Sequence, residues 1–80
     1  MKIDYVDAFG NETTRTVNPI RLGFHRDRQG RILPNRFIAH CHVADDLRCF
    51  IIDRIDQAID LDNREKIYSV DQFLIERIKG

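Results

Sequence analysis

The chain predicts a mainly β fold, a small barrel of five to six short antiparallel strands with a C-terminal helix. Three observations carry this. Apolar and polar residues alternate in short runs from Lys2 to Asp53. Gly, Asn, Pro and Asp separate those runs. Only the stretch after Tyr68 changes to helical spacing. Closing the sheet removes the bare edges that so small a layer would otherwise expose.

Ile3 and Tyr5 alternate with Asp4, so a first strand runs from Lys2 to Asp7. Phe9-Gly10-Asn11 is turn chemistry, because Gly and Asn tolerate positive φ. The Thr-rich run from Glu12 to Val17 returns as a second strand, and Pro19 is expected to break its ladder. Ile20, Leu22 and Phe24 form the apolar face of a third. Residues 26–34 are charged and contain Gly30 and Pro34, which predicts a mobile loop. A fourth strand from Arg36 to Val43 turns at Asp45-Asp46 into a fifth from Leu47 to Asp53. Ile59 and Leu61 supply a short sixth strand or an extended edge. Ser69-x-x-Gln72 has the form of a capping box, and Tyr68 with Phe73 the form of a hydrophobic staple. Val70, Phe73, Leu74 and Ile78 then give the helix an apolar stripe that must dock on the sheet. Tyr5, Phe24, Phe37, Phe50 and Phe73 are the aromatic core candidates, with Phe9 and Phe37 partly exposed.

Eighty residues make one domain with a thin core. No apolar run spans a bilayer, and the N-terminus lacks a secretory signal, so the expected compartment is the cytoplasm. Two cysteines, Cys41 and Cys49, fit reducing conditions better than a disulfide scaffold. Net charge is zero, yet the signs separate. From Thr14 to His42 six arginines face one acid, and from Val43 onward nine acids face six bases. Arginine outnumbers lysine ten to three, which favours forked recognition of phosphate or carboxylate. Arg26, Arg28 and Arg31 surround Gly30 and read equally well as a solvated turn.

In Arg48-Cys49-Phe50-Ile51-Ile52-Asp53-Arg54-Ile55, Arg48, Phe50, Ile52 and Arg54 share one face of a regular strand. Arginine beside buried apolar residues needs an anion, either an internal carboxylate or a ligand. Arg15, Arg48 and Arg54 are the candidate ligand contacts, and Asp53 or Asp56 is the internal alternative. His40, Cys41, His42 and Cys49 invite a zinc reading, but one strand turns Cys41 away from the two imidazoles. No metal or other cofactor is expected. There is no nucleophile elbow, phosphate-cradling glycine loop or paired carboxylates, so the chain is not expected to be an enzyme.

Ile3-x-Tyr5, Gly10, Arg15-x-Val17-x-Pro19, Ala39-x-Cys41 and Arg48-x-Phe50-x-x-Asp53-Arg54-Ile55 resemble, in order and spacing, the WYL domain. Leu61 and Phe73-Leu74 resemble its tail. The resemblance implies an SH3-like or Sm-like barrel serving as the sensor of a bacterial transcription regulator, behind a helix-turn-helix domain in a longer protein. It further implies a basic pocket for single-stranded nucleic acid or a nucleotide-like small molecule. The Trp-Tyr-Leu positions hold Asn35, Arg36 and Phe37, a common aromatic is His40, and a frequent basic position is Ala44. Arg36 can replace aromatic stacking by laying its guanidinium on a base or by pairing with phosphate. Arg36, Phe37 and His40 are thus expected to shape the ligand side of the pocket. The rival readings are a protein-interaction or homodimerisation module, and an accessory single-strand-binding domain of a helicase or nuclease. None of these readings involves a membrane.

Overall fold

The structure, a computed structural model, describes residues 1–78. Strands β1 (Lys2–Val6), β2 (Glu12–Arg26), β3 (Ile32–Cys41), β4 (Asp46–Ile51), β5 (Ile55–Asp60) and β6 (Glu65–Lys66) precede one helix, α1 (Val70–Ile78). The strands form an antiparallel sheet in the order β4-β3-β2-β1-β5-β6. It is not closed into a barrel, which corrects the predicted architecture. The Ile51 N–H, which a closing strand would have to bond, is donated instead to the Tyr5 hydroxyl at 2.9 Å. That single side-chain bond joins β4 to β1 across the curl of the sheet.

Pro19 does not end a strand. β2 is continuous for 15 residues and gives Glu12 to Thr16 to β1 and Val17 to Arg26 to β3. The β1 ladder has ended before Pro19, so one side of β2 is free of strand pairing where the proline lacks its N–H. Pro19 opposes Ala39 and Arg21 opposes Ile38, leaving Ile20 as an extra residue in a bulge.

The expected loop over residues 26–34 is a hairpin whose turn is confined to Asp27–Gly30. Its geometry repeats that of the first hairpin. Asp7 Oδ1 accepts from the N–H groups of Phe9 and Asn11 at 2.8 and 2.9 Å. Asp27 Oδ1 accepts from those of Gln29 and Arg31, both at 2.9 Å. Gly10 and Gly30 each close their turn at φ 82°, a region open to glycine without steric cost.

A one-turn 3-10 helix (Ile52–Arg54) separates β4 from β5. It ends the predicted fifth strand early, so Arg48, Phe50, Ile52 and Arg54 do not share one strand face. Ile59 lies in β5, whereas Leu61 lies in a turn and β6 follows it at Glu65–Lys66.

The core is Ile3, Tyr5, Val17, Phe37, Ala39, Cys41, Phe50, Ala58 and Leu74. Tyr5 packs edge-on against Phe50, with ring centroids 5.1 Å apart, and Phe50 meets Phe37 at 5.5 Å. Phe37, expected to be partly exposed, is fully buried; Phe24, expected in the core, is 50% exposed. Burying a side chain such as Phe37 or Leu74 stabilises the fold by about 1.5–3 kcal/mol. Leu74 carries α1 onto the sheet, where the helix meets β2. The capping box does not form. The Ser69 hydroxyl donates to Asp71 at 2.6 Å, and Gln72 reaches forward to Glu76. The staple is absent too, because Tyr68 is 88% exposed and lies beneath Lys66 Nζ, 5.4 Å from its ring centroid.

Candidate functional site

Register assigns the arginines to faces, since directly paired residues of an antiparallel sheet point the same way. Arg15 opposes the buried Ile3, and Arg48 opposes the buried Ala39. Both therefore belong to the inner face, around Cys41 and Ala39. Arg36 opposes Gly23 and Ile51 on the outer face, one residue from Phe37 and on the other side of the sheet. His40 is on the outer face with Arg36. Arg54 closes the 3-10 turn, and its charge reaches Asp7 of the first hairpin. The structure thus brings Arg15 and Arg48 to one face. It sets Arg36 and His40 on the other, and leaves Phe37 inside the core.

The internal neutralisation offered by Asp53 or Asp56 is not made. Among the described residues, the ion pairs are Arg31–Asp27, Arg77 with Asp60 and Asp62, and His40–Asp45. Arg15 instead donates from Nε to the Thr13 hydroxyl at 3.3 Å and from a terminal nitrogen to Cys41 Sγ at 3.5 Å. Arg36 donates to the Phe24 carbonyl at 3.3 Å and to Asn35 Oδ1 at 2.9 Å. None of these acceptors is a carboxylate, so among the described residues neither Arg15 nor Arg36 is paired with an acid.

The Ala44 N–H, then the Arg15 guanidinium and the Val43 N–H, hold Cys41 below the ordinary thiol range against the opposing push of burial. Cys41 and the imidazoles do not converge. The His40 and His42 rings are 5.5 Å apart, and His40 Nε2 lies 3.0 Å from Asp45 Oδ1.

Sequence reasoning missed Arg21 and Gly23. The bulge at Ile20 puts Arg21 on the outer face beside Ile38, and Gly23 is the seat on which Arg36 lies. Arg21 belonged visibly to the basic stretch, but nothing in the local pattern marks Ile20 as the extra residue.

A scan of protein-family models matches the WYL domain over residues 1–59. WYL domains are non-catalytic, regulatory ligand-binding domains. This chain belongs to the WYL domain family. The match stops at Ile59, short of Leu61, Phe73 and Leu74. Searches of curated proteins and of solved structures returned no match. Among the described residues, no helix is long and apolar enough to cross a membrane.

Proposed function

We propose that the chain is a single sensing domain of a longer regulator, binding a phosphate-bearing ligand through Arg15 and Arg48 on its inner face. The ligand class is single-stranded nucleic acid or a nucleotide-like small molecule. The observation that carries the reading is the absence, among the described residues, of any carboxylate within ion-pair distance of either arginine. A guanidinium without a carboxylate partner keeps its charge for an incoming phosphate. Arg54 extends the positive field toward the first hairpin, whereas Phe37 is buried against Phe50 on the same face as Arg48. Ligand binding biases the orientation of an attached helix-turn-helix domain, provided the two orientations differ in affinity for it.

Titration with a labelled single-stranded oligonucleotide at several salt concentrations tests this. Two phosphate contacts give a slope of log affinity against log salt of about −1.4, at about −0.7 per contact. Replacing both Arg15 and Arg48 by Ala removes that slope while the fold persists. A salt-independent response, or binding unchanged in the double variant, defeats the reading.

A second reading as a protein-interaction module rests on one surface. Leu22 and Phe24 of β2 form with Ile75 and Ile78 of α1 an open apolar cleft of about 400 Å³. Sedimentation of the isolated chain as a dimer, lost on Phe24→Glu, would favour it.

A further inference from the structure

A second arginine pair stands on the outer face, on two rungs separated by the inward-facing rung of Leu22, Phe37 and Phe50. Arg21, Ile38 and Cys49 form one of the two across β2, β3 and β4; Gly23, Arg36 and Ile51 form the next on that face. Arg21, Gly23, Arg36, Ile38 and Cys49 line one cleft of about 210 Å³. Neither arginine has a carboxylate partner among the described residues.

Arg36 is already positioned. Its side chain lies against Gly23 so closely that a Cβ there would sit 2.6 Å from Arg36 Cγ and 2.7 Å from Nε. The Phe24 carbonyl and Asn35 Oδ1 hold one terminal nitrogen, leaving the remaining donors of the fork uncommitted. An arginine fixed before the ligand arrives loses less freedom on binding.

The geometry points to a small phosphate-monoester site in this outer cleft, with Arg21 and Arg36 as its two cations and Gly23 as the seat that positions Arg36. Two guanidinium groups balance the dianion, and their forked donors match phosphate oxygens. At about 210 Å³ the cleft falls below the roughly 300–1,000 Å³ of pockets that enclose a drug-sized molecule. It therefore takes the phosphoryl group and leaves the rest of the ligand outside. The exposed Cys49 forms part of the rim. This site goes beyond the inner-face reading and does not depend on it.

Phenyl phosphate is the probe, benzenesulfonate is its singly charged counterpart, and amide and arginine Nε–H resonances are the readout. Phenyl phosphate is expected to give saturable shifts at Gly23, Ile38 and Cys49 and at Arg36 Nε–H. Benzenesulfonate should bind about tenfold more weakly or worse. Arg36→Ala and Gly23→Ala should each weaken phenyl phosphate by about tenfold or more, Gly23→Ala by displacing an arginine that is still present. Arg15→Ala, on the opposite face, should leave the shifts at Gly23, Ile38, Cys49 and Arg36 Nε–H unchanged. Equal response to both anions, non-saturating shifts, or survival of binding in Arg36→Ala overturns the site. Loss in Arg15→Ala with retention in Arg36→Ala also overturns it, and would assign the phosphate to the inner face. If Gly23→Ala disturbs the strand, Arg36→Ala still decides.

Discussion

Two aspartates each organise a whole hairpin tip. The Asn11 N–H, and after it that of Phe9, hold the Asp7 carboxyl below its ordinary range; the Arg31 N–H chiefly does so at Asp27, with help from the Arg31 side chain and the Gln29 N–H. A carboxylate whose folded-state pKa is depressed stabilises the fold above its unfolded pKa, and that stability is lost as pH falls through the lower folded value. The melting temperature should accordingly drop as pH falls below about 4. Thermal melts of the Asp7→Ala, Asp27→Ala double variant should show a flatter acid limb. Tyr5 offers a second test at this scale. Tyr5→Phe removes the acceptor of the Ile51 N–H and should cost about 1–3 kcal/mol in urea unfolding, an unpaired amide being the larger part. Gly10 and Gly30 were legible as turn residues, since their φ requirement is local. The anchoring role of Asp7 and Asp27 is not legible in the same way, although each precedes its glycine by three residues, because it depends on which N–H groups the folded turn presents.

Elements were legible where pairing follows local alternation and obscure where it depends on distant partners. β1, the first hairpin and the helical stretch follow directly from spacing. The continuity of β2 through Pro19 does not, because it depends on where the β1 ladder stops and β3 takes over. The 3-10 turn at Ile52–Arg54 was hidden for a related reason, since an apolar run ending in charge reads as strand until its hydrogen bonds are known. Ser69 and Gln72 had the right spacing for a capping box and made other bonds. The helix depends instead on docking. Leu74→Ala, at the one fully buried helical position, should destabilise the domain by about 2–5 kcal/mol, read by urea unfolding. Helical circular dichroism should fall in the same transition, because so short a helix is marginal once undocked.

For the whole molecule, the uneven charge was plain from the sequence, but its division between two faces of a single layer was not. Arg15 and Arg48 were foreseen together and lie on one face, while Arg36 joins the overlooked Arg21 on the other. If both faces take anions, an excess of phenyl phosphate should titrate two separable sets of resonances, one lost in Arg36→Ala and the other in Arg48→Ala. A single set that vanishes in both variants would instead mean one shared site. Ile20 makes the division arithmetical. Upstream of it the odd-numbered residues of β2 look inward, and downstream the even-numbered ones do. Were Ile20 paired in a regular ladder, Arg21 would be pressed against the level of Phe37 and Leu22 turned out to water. Shortening the chain by Ile20 alone therefore leaves every later side chain on its present side. An insertion elsewhere in that strand would turn the distal hairpin inside out.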